Sequence, residues 1–111
     1  MSLNNYYFNA IEGLGWWIRE YDDYFEIGKE SPAGEDFSFT IGKNNIVQAV
    51  TDYAWGFDPD EHAEMWIQCM HTVSGVPKSI IALIDDANEI QRMLNELADA
   101  LIEIENGGKA R

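Results

Sequence analysis

Apolar residues near the start of the chain recur at intervals of three and four. This spacing places them on one face of an α-helix, so the sequence predicts an amphipathic helix from Leu3 to Tyr21. Gly13 and Gly15 each weaken such a helix by about 1 kcal/mol relative to alanine, which makes this pair its natural break point. The apolar positions of the stripe are Leu3, Tyr6, Tyr7, Ala10, Ile11, Leu14, Trp17, Ile18 and Tyr21.

The two neighbouring tryptophans take different positions in this stripe. Trp17 fits the apolar face, which predicts burial, whereas Trp16 falls off it. An exposed tryptophan is typical of a contact anchor at a protein interface, so Trp16 is a candidate for partner binding, with packing on the following hairpin as the alternative. Trp55, beside a dense group of acids in DYAWGFDPDE, is the second candidate, with a place in the core as its alternative.

Between Tyr24 and Lys43 the period changes to two. The segments YFEI and FSFTI are short, aromatic and β-branched, and Phe37, Phe39 and Ile41 alternate with polar residues. This pattern is typical of strands. The intervening GKESPAGED is rich in glycine, proline and charge, which predicts the loop of a hairpin.

Two helices are predicted in the middle of the chain. Asn44 or Asn45 is placed to cap the first, which ends at Gly56. The second begins at Asp58-Pro59-Asp60-Glu61, which combines a capping acid, a proline at the first helical position and an acidic first turn. Its predicted buried stripe is Ala63, Trp66, Ile67, Met70 and Val73, and Gly75 and Pro77 are expected to stop it.

A long helix is predicted at the end of the chain, with apolar positions at helical spacing from Ala87 to Ile104 and an end at Gly107. The pattern leaves open whether it begins near Ser79 or restarts at Asp85-Asp86. The chain is therefore predicted to be a single, mainly helical α+β domain over residues 1–106, with four to five helices and one β-hairpin, followed by a flexible tail at 107–111.

Charge and cysteine content narrow the range of functions. The 111 residues include 20 acidic and 7 basic side chains, for a net charge of -13, yet 46% are hydrophobic, which favours a folded chain. Such a charge disfavours direct binding to nucleic acid or to an anionic membrane. Neither a signal peptide nor a run of about 18 apolar residues is seen, so a cytoplasmic location is expected. The single cysteine, Cys69, allows no internal disulfide and is expected to be buried and inert.

Motifs for catalysis, cofactors or metals are missing from the sequence. The densest group of potential ligands is Asp58, Asp60, Glu61, His62 and Glu64, with His71 on the same predicted helix. Nine residues separate the two histidines, which places them on opposite sides of the helix and about 13 Å apart along its axis. We therefore interpret the group as a helix cap with a solvated acidic face, and expect no metal and no cofactor. A small hydrolase that uses His62 or His71 as its base stays open as an alternative.

The acids are interleaved with core positions, so folding is expected to display them on a rigid surface. Helix-borne carboxylates on one face repeat about every 5 to 6 Å and, across several elements, approximate a phosphate array. The expected contacts are Asp22, Asp23, Glu26, Asp58, Asp60, Glu61, Glu64, Asp85, Asp86 and Glu89. The alternative is that the charge serves solubility alone.

About half of the chain resembles a known group of proteins. The segment NNIVQAVTDYAWGFDPDEHAEMWI and the later SGVPKSIIALIDDANEIQRMLNELADAL are similar to small acidic proteins carried by phages and conjugative elements of gut Firmicutes. The features that carry the resemblance are the DPDEHAEMWI helix start, the GVP turn and the acidic terminal helix. Some such accessory proteins resemble inhibitors of host defence, including anti-CRISPR and anti-restriction proteins, several of which imitate DNA.

Together, the charge and the resemblance imply a non-enzymatic inhibitor that binds a host defence protein at its nucleic-acid-binding surface. The expected partner is a protein with a basic surface, in the host cytoplasm, with no direct contact to nucleic acid or membrane. The main alternative is an interaction or scaffold module that uses the exposed aromatics Trp16 and Trp55, a homodimer being one such form.

Overall fold

The computed structural model describes the backbone of residues 5–32, 34, 36–70 and 80–107, and the side chains in these ranges other than those of 66–70 and 80–83. The described residues form a mainly helical α+β domain, as the sequence predicted. Its elements are α1 (Asn5–Gly13), β1 (Trp17–Glu20), β2 (Tyr24–Glu30), β3 (Asp36–Gly42), α2 (Ile46–Gly56), α3 (Pro59–Met70) and α4 (Ile80–Glu105).

The first helix is much shorter than predicted. It ends at Gly13, and Gly15 adopts a φ of +92°, a left-handed conformation that glycine reaches without strain. The Gly15 N–H donates to the Glu12 carbonyl at 3.0 Å and the Trp16 N–H to the Ile11 carbonyl at 3.1 Å, which is the Schellman pattern of helix termination. The prediction of a helix to Tyr21 was therefore wrong, because Gly15 reverses the chain into a strand, whereas the break point predicted at Gly13 and Gly15 is confirmed.

This early end exchanges the roles of the two tryptophans. Trp16 is buried, with 2% of its surface exposed, and Trp17 is 39% exposed. Successive strand residues point to opposite faces, so the strand that begins at Trp17 turns its indole outward. The predictions of Trp16 as a surface anchor and of Trp17 as a core residue were wrong. The alternative for Trp16 is confirmed: it packs on the hairpin, where its ring meets those of Phe37 and Phe39 edge to face at 6.4 and 6.0 Å.

The predicted hairpin is the β2–β3 pair, and β1 extends it into a three-stranded antiparallel sheet in the order β1-β2-β3. In β3, buried and exposed residues alternate strictly, with Phe37, Phe39 and Ile41 turned inward. Phe25 and Ile27 of β2 pair with Ile41 and Phe39 on that same inner face. The opposite, outer face of the sheet carries the exposed side chains.

The last helix is the element on which the other helices pack. α1, α2 and α3 all contact α4, while α1 also packs on β1 and α2 on β3. The backbone of α4 is helical from Ile80, so Asp85-Asp86 lies inside one continuous helix. The fully buried large side chains of α4 are Ile90, Leu94, Leu97 and Leu101. Full burial of one such aliphatic side chain stabilises the folded state by roughly 1.5 to 3 kcal/mol.

The predicted caps of the two middle helices are confirmed. The Gln48 N–H donates to Asn45 Oδ1 at 3.1 Å, so Asn45 rather than Asn44 caps α2. Asp58 Oδ1 accepts from the Asp60 N–H at 3.0 Å and from the Glu61 N–H at 3.3 Å. Of the predicted α3 stripe, Ala63 is buried.

Several predictions lie outside the described residues. They concern the side chains of Trp66, Ile67, Cys69 and Met70, the residues His71, Val73, Gly75, Pro77 and Ser79, and the tail at 108–111.

Gly28 is expected to be required by Trp17 rather than by the backbone. The two residues are cross-strand partners, and a Cβ at position 28 would overlap the Trp17 indole ring. We expect Gly28→Ala to displace the indole and to lower the free energy of unfolding by about 1 kcal/mol. In a Trp17→Ala background the same change should raise it by about 0.5 kcal/mol, because alanine restricts the unfolded chain more than glycine does. Urea unfolding of the four proteins measures both effects, and the same sign in both backgrounds would contradict the assignment.

Candidate partner-binding surface

An open cavity of about 410 Å³ lies at the connection between α2 and α3, and we call it the α2–α3 groove. Only Phe57 and Asp58 separate the two helices. Phe57 is extended, at φ -69° and ψ 127°, and this backbone turns the chain between the helices. The groove is lined by Asp52, Tyr53, Gly56, Phe57, Asp58, Glu61, His62 and Met65.

Aromatic rings form the floor of the groove, and the buried Phe37 of β3 holds them. The ring of Phe57 meets that of Phe37 edge to face at 5.8 Å, and the His62 imidazole meets it at 5.7 Å. Tyr53 stacks on Phe39 at 4.4 Å with only 7° between the ring planes. Each such stacked or edge-to-face pair stabilises the fold by about 0.5 to 1.5 kcal/mol beyond the contribution of the buried area. The floor is therefore anchored in the core of the domain.

A hydrogen bond from α4 ties the floor to the central helix, and burial keeps the Tyr53 phenol uncharged. The Gln91 side-chain amide of α4 donates to the Phe57 carbonyl at 3.3 Å, which ties the helix connection to the central helix. Burial raises the pKa of Tyr53 above its ordinary value of 10.0, so its phenol is uncharged at neutral pH. The negative charge of the groove therefore comes from carboxylates alone.

Three carboxylates stand at the rim of the groove: Asp52 from α2, and Asp58 and Glu61 from the start of α3. Asp52 Oδ1 accepts a hydrogen bond from Gln48 Nε2 at 2.7 Å. Asp58 uses Oδ1 as the helix cap. Among the described residues, no other hydrogen bond and no ion pair reaches the carboxylates of Asp58 and Glu61. The rim is thus acidic and open to a partner.

The basic side chains within the described ranges are engaged elsewhere. Lys43 pairs with Glu20 at 2.9 Å and lowers the pKa of that carboxyl, chiefly through the hydrogen bond between them. Lys29 Nζ donates to the Leu14 carbonyl at 2.7 Å. Arg92 pairs with Glu89 at 3.1 Å, and the guanidinium of Arg19 lies 4.8 Å from the centre of the Trp17 ring. In the part of the chain that the structure describes, no cation neutralises the groove.

Some of the predicted contacts come together and others do not. Asp58, Asp60, Glu61 and Glu64 gather at the start of α3, and all four are exposed. Asp52 of α2 lines the groove together with Asp58 and Glu61 and was not predicted as a contact. Of the other lining residues, Tyr53, Phe57 and Met65 were not predicted as contacts, and His62 was considered only as a metal ligand or as the base of a hydrolase.

A second set of predicted contacts belongs to the sheet. Asp22 and Asp23 are exposed in the β1–β2 turn. Glu26 follows on the outer face, where it accepts hydrogen bonds from the hydroxyls of Tyr21 and Ser38, each at 3.4 Å. These carboxylates do not line the α2–α3 groove.

On α4 the outcome is mixed. Asp85 is exposed, and Glu89 is half-buried and paired with Arg92. Asp86 is only 6% exposed and accepts a hydrogen bond from Ser31 Oγ at 2.7 Å. The prediction of Asp86 as a surface contact was therefore wrong: it joins α4 to the end of β2.

Exposed aromatic side chains form a separate patch on the outer face of the sheet. Tyr21 and Tyr24 stack at 4.8 Å, and the Trp17 ring covers Gly28 on the same face. We call these three the outer-sheet aromatic patch; each is 39% exposed. Trp55 of α2, the second predicted anchor, is exposed over 71% of its surface.

The described residues offer no group of three histidine, cysteine, aspartate or glutamate side chains that could hold a metal ion. None of the helices in these ranges has the length and apolar character needed to cross a membrane. Comparison of the chain with protein-family models, with curated proteins and with solved structures finds no match.

The cap and the charge of Asp58 are expected to be separable. Asp58→Ala should lower the free energy of unfolding by about 1 kcal/mol, since two N–H groups lose their acceptor. Asp58→Ser keeps a capping oxygen and should cost only about 0.3 to 0.5 kcal/mol, for the lost interaction with the helix dipole. Urea unfolding followed by circular dichroism compares the two variants, and equal losses would show that Asp58 stabilises α3 by its charge alone.

Proposed function

We propose that this protein is a non-enzymatic acidic inhibitor from a phage or mobile element, which binds a host defence protein, a CRISPR effector or restriction enzyme, at its nucleic-acid-binding surface. The observation that carries the proposal is the acidic rim of the α2–α3 groove. Its carboxylates are presented by two helices whose positions the core fixes, and the described cations lie elsewhere. The resemblance to proteins of mobile elements suggests the class of partner.

The physical basis of the proposal is imitation of the phosphate backbone. Asp60 and Glu64 are four residues apart on α3, about 6 Å along the helix axis. Duplex DNA carries one charge per about 1.7 Å of its axis, so one helix reaches only part of that density. The carboxylates of Asp52 and Asp58 add to it from the neighbouring helix and the connection. A basic groove that holds DNA would attract this surface, with association that is fast and sensitive to salt.

A charge-matched pair of variants tests whether the position of the acids matters. The groove variant carries Asp52→Asn and Glu61→Gln in the groove lining and Glu64→Gln on the next turn of α3, which leaves the Asp58 cap in place. The control variant carries Glu12→Gln, Asp99→Asn and Glu105→Gln, three exposed acids of α1 and α4. Both variants raise the net charge by three units, so a general effect of charge changes them equally.

The measurement has two stages. A pull-down from host lysate identifies the bound nuclease or effector, and fluorescence anisotropy then follows the displacement of its labelled DNA. We expect the protein to displace DNA, the groove variant to do so about tenfold less well, and the control variant to match the original within about twofold. Equal losses in both variants would assign the charge to solubility. A protein that bound DNA itself and no nuclease would overturn the proposal.

A second function is favoured by the outer-sheet aromatic patch and Trp55. Aromatic side chains are enriched at the centres of protein interfaces, and these four are exposed on a folded surface. The protein would then be an interaction or scaffold module, which includes a homodimer. The hydrolase hypothesis gains no such support, since the His62 imidazole packs against Phe37 and Phe57 and His71 lies outside the described residues.

Salt dependence separates the two functions. A contact made by the groove acids should weaken steeply between about 50 and 200 mM salt, whereas an aromatic contact should change little. Trp55→Ala with Tyr24→Ala should abolish an aromatic contact and leave the charged one within about twofold. Dissociation constants for the captured partner across this range give the answer, and analytical ultracentrifugation of the protein alone tests the homodimer.

A further inference from the structure

We propose that the α2–α3 groove binds the guanidinium group of an arginine side chain, supplied by the basic surface of the partner. This inference rests on the proposed function for the identity of the partner, and it adds the chemical group that is recognised. It is carried by three properties of the groove: its aromatic floor, its carboxylates, which no cation among the described residues neutralises, and its size.

The floor suits a flat cation. Tyr53 and Phe57 line the cavity, and their rings also contact the buried rings of Phe39 and Phe37, respectively. A guanidinium is planar, is weakly hydrated for a cation and stacks on aromatic faces. Met65, which is 57% exposed, adds an apolar wall against which the methylene groups of an arginine side chain would pack.

The rim supplies the matching hydrogen-bond acceptors. Guanidinium has five N–H donors in a fixed fork, and carboxylates at two angles around it accept them in pairs. The groove lining provides Asp52 from α2, and Asp58 and Glu61 from the start of α3. Asp58 Oδ2 and both oxygens of Glu61 have no partner among the described residues. These acceptors are therefore available without breaking the helix cap.

The dipole of α3 repels a cation, but this repulsion is weaker than the attraction of the rim carboxylates. A helix N-terminus corresponds to about half a positive charge, and its orphan N–H groups at positions 60 and 61 already donate to Asp58. The groove lining brings three carboxylates to the same place. Because the carboxylates outweigh the dipole, the net attraction is for a positive group.

Size and composition favour arginine over other cations. The volume of about 410 Å³ lies within the range of roughly 300 to 1,000 Å³ that is typical of pockets for small organic groups. No set of three ligands for a metal ion occurs among the described residues. A lysine ammonium is compact and strongly hydrated, so it would gain less from the ring faces than a guanidinium does.

The probe for this test is N-acetyl-arginine amide, titrated into the full-length protein and followed by amide chemical shifts in two-dimensional NMR. We expect shifts concentrated at residues 52–58 and 61–65. N-acetyl-citrulline amide has nearly the same shape without the charge and should cause no shifts there. Lysine amide acetylated at its α-amino group, so that the ε-ammonium stays charged, should bind at least about threefold more weakly than the arginine probe.

Two matched variants locate the acceptors. Asp52→Asn with Glu61→Gln should weaken binding of the arginine probe by about fivefold, because the shape is kept and two charges are lost. Asp99→Asn with Glu105→Gln removes the same charge from α4 and should leave binding within about twofold. Equal weakening in both variants, equal binding of citrulline, or shifts spread over all acidic elements would overturn the inference.

The outcome is distinguishable from that of the proposed function. If the groove binds the arginine probe and the protein displaces DNA from no nuclease, the proposed function fails and the groove assignment stands. If the protein displaces DNA while the probe leaves the groove unshifted, the proposed function stands and the arginine site is overturned.

Discussion

The packing of Phe37 is the interaction on which the rest of the structure depends. Its ring is 5% exposed and lies where the sheet, α2 and α3 meet. Loss of such a buried ring costs about 3 to 5 kcal/mol. A change at Phe37 would therefore disturb the sheet and the groove floor together. The rings in contact with it are Trp16, Phe39, Tyr53, Phe57 and His62.

This packing explains how a protein with so many acids presents some of them in a defined place. Like charges repel, and neutralisation by neighbouring lysines or arginines is the usual remedy. Here the described cations are held at other sites, Lys43 by Glu20 and Arg92 by Glu89. The acids of the groove are instead kept together by the helices that carry them. The aromatic core supplies the energy that holds those helices against the repulsion.

Asp58 shows that one side chain serves both stability and charge. Its Oδ1 caps α3, and its second oxygen faces no partner among the described residues. Its local sequence, in which Pro59, Asp60 and Glu61 follow it, was enough to predict the cap. It was not enough to predict the groove, since that required the position of α2. Glu61 is similar: local pattern explains its place in the first turn, and the fold explains its place at the rim.

The sequence by itself determined the α+β class, the hairpin and the caps of α2 and α3, because each follows from a pattern or a contact among residues that are close in the chain. Only the tertiary structure decided where side chains point at the junctions between elements. A helical period continues past Gly15, so pattern alone buried Trp17 and exposed Trp16, whereas the left-handed glycine and the pairing of β1 with β2 reverse them. Asp86 reads as a surface acid until it meets Ser31, 55 residues away in the chain. Such contacts form between distant segments, and no local spacing encodes them.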